Sequence, residues 1–589
     1  MYTHREYVEV QRVEVTGVTP QVTEAGLTNA TNVGLFISII HQSTGRMMGG
    51  YQHLQPWADL RRLIALLNSI QPGRIIVFML RSDLEYGLPE EVRRFLRREG
   101  SAGAANLVGR GAFWAWVWVK GGPTLAEALS LPTRQAMAHG ILLHTVVLLI
   151  PNTEYCPGWP TGEHWRLRRH FCDSYEQYGE LCSCLRPYNI TSSIHKVVNN
   201  QIERAAIIVI AHRVPALYKS LKTVMSAAGF SSGRVEVFTP EPQQELEEFV
   251  QVFDLPLTIT HQESYYVATL ISKQFIFAIK HVLNKYSDAE FVIVLEEDIS
   301  VSPDFFVFLN RSAVILREDP SLLCASAHND LSYPGTSHDP RVALRAHSYT
   351  NYGWMVTREV AKELASGMPG TELEYDWDVY IYFYLSRGRE CIIPEVSRSH
   401  HFGDSGSHIS QFTQRLYFTD KNYNLDPSAL VENIDNLREE EYEEYLTSLL
   451  AGARFINSTH LNPCHHSFYT LFTVRDHDVL VMFFHVEGDI NYYRTNNEWT
   501  TLAWCLGTFA LESRESHRGL YRLRYGAAHL LLVAYPASPY SQYKPAEVGV
   551  FVATRELQEA AYRKGDGRLK KDPYNLQSLQ QRYLNLVTV

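Results

Sequence analysis

Phe291-Val-Ile-Val-Leu295 runs without a break into Glu296, Glu297 and Asp298, and this junction constrains the fold more than any other stretch of the chain. An apolar run rich in Val and Ile is the pattern of a strand buried on both faces, found mainly in parallel sheets covered by helices. Open sheets of that kind bind ligands in the crevice outside the carboxyl ends of their strands. Three carboxylates at such an end suit a hard divalent cation, Mg²⁺ or Mn²⁺, and through it a nucleoside diphosphate. The same residues also suit plain helix capping, because Asp298, Ser302 and Pro303 precede Asp304-Phe-Phe306. The local pattern leaves both readings open.

A chain of 589 residues has room for roughly two to four domains with large cores. Its 54 Lys and Arg against 64 Asp and Glu give a net charge of -10, and with no sustained basic stripe a nucleic-acid partner is not expected. Arg438-Glu-Glu-Glu-Tyr-Glu-Glu-Tyr445 reads as a solvated helix face. The eight cysteines form an even set, and the Asn-x-Ser/Thr motifs at Asn29, Asn189, Asn310 and Asn457 are usable in a secretory compartment. Cys156, Cys172, Cys182 and Cys184 imitate a zinc site, but Cys182-Ser-Cys184 lacks the usual ligand spacing of roughly two to four residues, and disulfides suit the four better. A bilayer span needs roughly 20 apolar residues. The best candidate, Ile141 to Ile150, has about half that and contains His144.

Two regions precede the one that holds the acidic strand. Residues 1–123 read as a compact α/β unit ending near Gly121-Gly-Pro123, with a strand from Gly34 to His41 and a second from Ile75 to Leu80. Between them Leu60, Leu63, Ile64 and Leu67 have the spacing of one helix face. In Phe113-Trp-Ala-Trp-Val-Trp-Val119 the alternation puts Trp114, Trp116 and Trp118 on one face, expected to pack inward and not to serve as a sugar platform. Residues 124–195 read as a cysteine-braced linker. A third region, 196–450, opens on the apolar strand Ala205 to Ile210 with His212 and Arg213 at its end, and Lys273 to Lys285 reads as the helix before the acidic strand. Residues 451–589 carry further strand-like runs, Val479 to Phe484 and Leu530 to Val533.

From Val294 to Gly403 the chain resembles glycosyltransferase family 13, whose members transfer N-acetylglucosamine from UDP-GlcNAc to the 2-hydroxyl of mannose. The resemblance rests on Val294-Leu-Glu-Glu-Asp-Ile-Ser-Val-Ser-Pro-Asp-Phe-Phe306, Ser326-Ala-His-Asn-Asp330, Gly353-Trp354, Asp376-Trp-Asp378, Gly388-Arg-Glu-Cys-Ile-Ile-Pro-Glu-Val-Ser-Arg398 and His401-Phe-Gly403, in that order. An ordered set is far more specific than a lone motif. Within the family it is closer to the O-linked-mannose β-1,2-N-acetylglucosaminyltransferases, through the region before the catalytic domain and through His517-Arg-Gly-Leu-Tyr-Arg522 and Pro536-Ala-Ser-Pro-Tyr-Ser541.

That resemblance implies an α/β, GT-A type Rossmann-like domain preceded by a stem domain similar to the ILEI/PANDER-like fold, with Asp83 and Arg110 as the stem's sugar-binding candidates. It implies Mn²⁺ as cofactor held by Asp298, UDP-GlcNAc as donor and a mannosylated glycoprotein as acceptor, with high-mannose N-glycan as the alternative. Asp378 is the expected catalytic base. Arg213, Gln274, Glu296, Glu297, Trp354, Asp376 and Arg514 are the expected substrate-binding residues, with Gly353 beside Trp354 and the loop at Phe402 and Gly403 closing over the donor. The resemblance pairs Cys324 with Cys391 and Cys464 with Cys505. It also implies the Golgi lumen and an amino-terminal membrane anchor, whereas this chain opens on the polar Met1-Tyr-Thr-His-Arg-Glu6.

Four residues depart from the family pattern. Pro240 stands where an aspartate contacts uracil, Gln274 for a donor-site histidine, His328 for the tryptophan of a Trp-Asn-Asp motif, and Tyr382 for an arginine after the base. Proline offers neither charge nor N–H there. These changes motivate a second reading, a non-catalytic glycan-binding descendant.

Overall fold

The computed structural model describes residues 12–18, 34–48, 52–54, 61–81, 88–107, 112–132, 142–150, 155–190, 197, 199–262, 264, 266–347, 350–368, 377–403, 409, 411–459, 461–465, 468, 472–475, 477–488, 496–510 and 512–570. Asp83, Arg110, Asp376 and Asn29 lie outside the described residues. The chain divides into two compact units, Met1–Ile190 with Leu569–Val589, and Thr191–Arg568.

The first unit contains, in chain order, β1 (Arg12–Val18), β2 (Gly34–Ile40), β3 (Gln52–Leu54), α1 (Arg61–Ser69), β4 (Ile75–Arg81), α2 (Glu90–Arg98), β5 (Phe113–Val119), β6 (Thr124–Ser130), β7 (Leu142–Leu148) and α3 (Glu163–Ser174). Its main sheet has the order β3-β2-β4-β5-β6, antiparallel throughout. Trp114, Trp116 and Trp118 lie fully buried on one face and meet Phe78 edge-on, as their alternation predicts. Leu63 and Leu67 of α1 join the same core. The expected boundary at Gly121-Gly-Pro123 is instead a hairpin turn. Gly121 takes φ +72°, Gly122 N donates to Val119 O, and β6 pairs with β5 beyond it. The cysteine-bearing stretch belongs to this unit and is no loose linker, because Arg74 donates to buried Glu176 and to the carbonyl of Cys172. Disulfides Cys156–Cys184 and Cys172–Cys182 brace it.

The second unit runs β8 (Ala206–Ile210), α4 (Val214–Ser226), β9 (Val235–Thr239), α5 (Gln244–Val252), β10 (Leu257–Ile259), α6 (Val267–Lys285), β11 (Phe291–Glu296), β12 (Ile299–Val301), α7 (Phe305–Glu318), β13 (Leu322–Ser326), β14 (Ala343–Ala346), β15 (Trp354–Thr357), α8 (Arg358–Gly367), α9 (Trp377–Tyr380), β16 (Glu390–Pro394), β17 (Ser399–His401), α10 (Gln411–Tyr417), α11 (Glu439–Ala451), β18 (Arg454–Phe455), β19 (Val479–Val486), α12 (Asn497–Leu506), β20 (Ser516–His517), β21 (Leu520–Tyr525) and β22 (Ala528–Pro536). Eight strands form one sheet in the order β10-β9-β8-β11-β15-β13-β16-β14. The first four are mutually parallel, and β15 runs against β11 and β13. The strand order reverses between β8 and β11, which opens a crevice at their carboxyl ends. This is the Rossmann-like, GT-A type arrangement, and β11 is buried on both faces from Phe291 to Leu295. Cys324–Cys391 joins β13 to its parallel neighbour β16, and Cys464–Cys505 is the fourth bridge. A second sheet, β18-β19-β22-β21-β20, completes the unit. Among the described residues, no helix is long and apolar enough to cross a membrane.

Candidate active site at the sheet's reversal point

A cavity of about 440 Å³ opens where β8 and β11 end, within the usual range for ligand pockets. Arg213, Pro240, Gln274, Glu296, Glu297, Asp298 and Asp378 all line it. Segments far apart in sequence therefore meet at the place the sheet topology requires.

The three acids do not play one role. Glu297 accepts from the backbone N–H groups of His212 and Arg213, at the start of α4, and from Arg213 Nε at 2.5 Å. It ties down the turn that enters α4 and aims the arginine, a task of support more than of ligand contact. Arg213 reaches on to Asp298, with Nη2 2.5 Å from Oδ2. Burial opposes its charge, but Glu297 and Asp298 outweigh this and hold its pKa above the usual value. Glu296 makes no such bond among the described residues. Burial first, then the charges of Asp298, Asp378 and Glu297, push its pKa up to about 8. The site carries more negative charge than one arginine neutralises, a condition a cation answers.

Asp298 faces His401 as well. The strand β12, which begins directly after Asp298, pairs antiparallel with β17 and sets Ile299 opposite His401. Gln414 Oε1 lies 2.8 Å from His401 Nδ1 while its Nε2 donates to the His401 carbonyl, so Nδ1 is the donor and Nε2 is turned toward Asp298 Oδ2 at 3.4 Å. Tying down one ring nitrogen in this way orients the other for a metal. A Cβ on Gly403 would lie 2.1 Å from Asp298 Oδ2, so only glycine leaves the carboxylate room. No set of three or more His, Cys, Asp or Glu arranged to hold a metal occurs among the described residues. Asp298 and His401 nonetheless fit a cation that takes the rest of its ligands from substrate phosphates and water, the habit of Mg²⁺ and its relatives.

Asp378 lies in the first turn of α9. Trp377 beside it lines the cavity and stacks on Phe275, with ring centroids 4.2 Å apart. Trp354 does not wall the cavity. It is fully buried behind Phe275 and Trp377 as core, and Trp377 is the tryptophan that reaches the ligand space. Arg514 stands away from the lining, with Nη1 3.2 Å from Asp330 Oδ2 and Nε donating to Glu512. Asp330 is itself held by buried Lys421.

Tyr352 is one of the lining residues that sequence reasoning missed. Its ring packs on His328, His401 and Phe418, and its hydroxyl makes no hydrogen bond among the described residues. Burial, with the charges of Asp330, Asp378 and Glu296 nearby, holds this phenol well above its usual range. Of the four departures, Pro240 and Gln274 line the cavity, and Gln274 Nε2 donates to Phe238 O. His328 is sealed behind Tyr352, where burial and Lys421 press its pKa down to about 4. Tyr382 lies buried in the π-helical turn Ile381–Leu385 against His347, off the lining.

Comparison with known proteins agrees with this geometry. Residues 244–507 match the GNT-I family and residues 33–122 the interleukin-like EMT inducer domain. The alpha-1,3-mannosyl-glycoprotein 2-beta-N-acetylglucosaminyltransferase of Arabidopsis thaliana is 27% identical over 215 residues, covering 36% of this chain and 47% of that protein. The chain thus matches about half the length of that relative. Among solved structures, GalNAc-T7 with UDP, GalNAc and Mn²⁺ is 10% identical over 42% of this chain and 52% of its own, with a TM-score of 0.28. The mannosyltransferase PcManGT from Pyrobaculum calidifontis, in complex with GDP-Man and Mn²⁺, is 14% identical over 43% of this chain and 69% of its own, with a TM-score of 0.23.

Proposed function

We propose that the second unit, which contains a GNT-I family domain, transfers N-acetylglucosamine from UDP-GlcNAc to the 2-hydroxyl of mannose with inversion, in the Golgi lumen. One observation carries the reading: Arg213, Glu296, Asp298 and Asp378 face a single cavity at the reversal point of the sheet. Asp378 takes the proton of the attacking hydroxyl. With one base and no covalent nucleophile, a single displacement turns the α-linked donor into a β-linked product. Asp298 and His401 would hold a Mn²⁺ ion, which would supply charge for the diphosphate leaving group. Glu297 fixes Arg213 at the diphosphate side, and Trp377 and Tyr352 shape the sugar space. The favoured acceptor is an O-mannosyl glycoprotein, supported by the interleukin-like EMT inducer domain in the first unit. A membrane anchor belongs to this placement as part of the proposal.

Incubating the purified chain with UDP-GlcNAc and Mn²⁺, and with either mannosyl peptide or mannose-terminated N-glycan, tests both acceptors. A β-1,2 linkage on the mannosyl peptide is expected. Transfer only to the N-glycan replaces the O-mannose reading, and no transfer to either, at saturating donor, favours the non-catalytic glycan-binding reading that Pro240 and Gln274 motivate. Asp298→Ala is expected to abolish Mn²⁺-dependent UDP binding. Equal UDP affinity of the wild type with and without Mn²⁺, by calorimetry, would remove the metal assignment.

A further inference from the structure

Asn189, Asn310 and Asn457 carry the same Asn-x-Ser/Thr motif, yet the fold treats them in different ways. Asn310 lies inside α7 and is buried, its Oδ1 accepting from Gln201 N at 2.6 Å. Ser312, the third residue of that motif, is wholly buried and donates to Phe308 O. A sugar on Asn310 Nδ2 would need room between packed segments, since residue and motif partner are both buried. Asn457 is the opposite case. It is exposed and follows the short strand β18. Its Oδ1 accepts from Thr459 N and Oγ1, at 3.2 and 2.9 Å, and from Gly549 N at 3.3 Å. A Cβ on Gly549 would lie 1.7 Å from Thr459 Oγ1 and 2.7 Å from Asn457 Oδ1, so bare backbone closes over the oxygen side of this amide. Nδ2 makes no hydrogen bond among the described residues.

We infer that Asn457 is an N-glycosylation site of the folded protein and that Asn310 is not. In the transfer, the bond from the sugar's anomeric carbon to the pyrophosphate of a lipid-linked oligosaccharide breaks. A bond from that carbon to Nδ2 forms, and one amide proton leaves with the lipid pyrophosphate. The pairing of all eight cysteines is the state of a chain matured in an oxidising compartment, where this chemistry takes place. Asn189 is exposed too, but the third residue of its motif, Thr191, lies outside the described residues, so the inference is confined to Asn457 and Asn310.

The inference shares the secretory placement of the proposed activity, so the test supplies that placement. The whole chain is expressed behind a cleavable secretion leader in cultured animal cells. Protein from the medium and from the microsomal fraction is then deglycosylated with peptide N-glycosidase in H₂¹⁸O and mapped by mass spectrometry. The expected result is the ¹⁸O label at Asn457 and none at Asn310 in secreted protein. Asn457→Gln and Thr459→Ala should each remove one glycan's worth of gel mobility. An unlabelled Asn457 in both fractions, or a labelled Asn310 in secreted, disulfide-bonded protein, overturns the inference. Loss of transferase activity in the wild type would bear on the proposed reaction and leave this result untouched.

Discussion

Two acid-rich regions of the second unit are treated in opposite ways. Around Arg345, carboxylates are matched in full. The guanidinium bonds Glu390 and Asp319, each at 2.8 Å, and also Ser321 Oγ and the Leu437 carbonyl. His517 then bridges Glu390 to Glu443, at 2.6 and 2.9 Å. Despite burial, Glu390 is held below its usual pKa by His517 and Arg345, and Glu443 is brought to about 2. At the ends of β8 and β11 the balance is left incomplete, and Glu296 is driven up to about 8. Carboxylates that hold the fold are compensated by the protein; those facing the cavity leave part of the compensation to a ligand.

Breaking the matched region should cost the most. Glu390→Gln leaves Arg345 and His517 without their shared buried partner and is expected to lower unfolding free energy by about 3–5 kcal/mol, read from urea titration. A loss under about 1 kcal/mol would mean the network is not a structural unit. Asp378→Asn tests the other side. It should leave UDP-GlcNAc binding nearly intact and reduce kcat by at least about 100-fold, and an unchanged steady-state rate removes Asp378 from the chemistry. Glu296→Gln sharpens the contrast, because it relieves repulsion. Stability without ligand should stay level or rise by about 1 kcal/mol or less, while UDP affinity falls; a clear loss of stability would place Glu296 with the structural acids.

The smallest effect is a pH slope. Burial works against charge on His517, but Glu390 and Glu443 raise its pKa above the ordinary 6.5. A raised folded pKa means its contribution is complete below that value and fades as pH climbs through the raised one. Glu443, lowered to about 2 from 4.5, contributes above its ordinary value and loses that contribution as pH falls toward about 2. Urea midpoints of the wild type should therefore decline on the alkaline side of 6.5, and His517→Gln should flatten that decline. Parallel slopes for the two proteins would show that His517 is not charged in the fold.

The apolar run at β11 announced both its strand and the site beyond it, because burial on two faces and clustered charge are properties of a short continuous segment. Trp114, Trp116 and Trp118 were equally legible, since strand alternation fixes which face they share. Arg213 and Asp378 came through the family resemblance, not through any local period. Tyr352 and His401 were not read as lining groups: one lies on a loop whose side-chain direction has no periodic signature, and the other reaches Asp298 only through the pairing of β12 with β17. That Trp354 is core and Trp377 lines the cavity was hidden for a similar reason. Phe275, on a distant helix, decides which indole is covered. The solvated-face reading of the run Arg438–Tyr445 missed Glu443, whose partners His517, Arg518 and Tyr540 lie far along the chain.

The bridge between Cys324 and Cys391 spans 67 positions of sequence, and Asp378 is inside that interval. The segment bearing Asp378, the proposed base, is thus a closed covalent ring anchored in two adjacent strands of the main sheet. If α9 frays, both ends of the ring stay moored, and the excursion has few states to explore before it closes again. Fraying of α9 would then be a local event, detached from the loss of the fold as a whole.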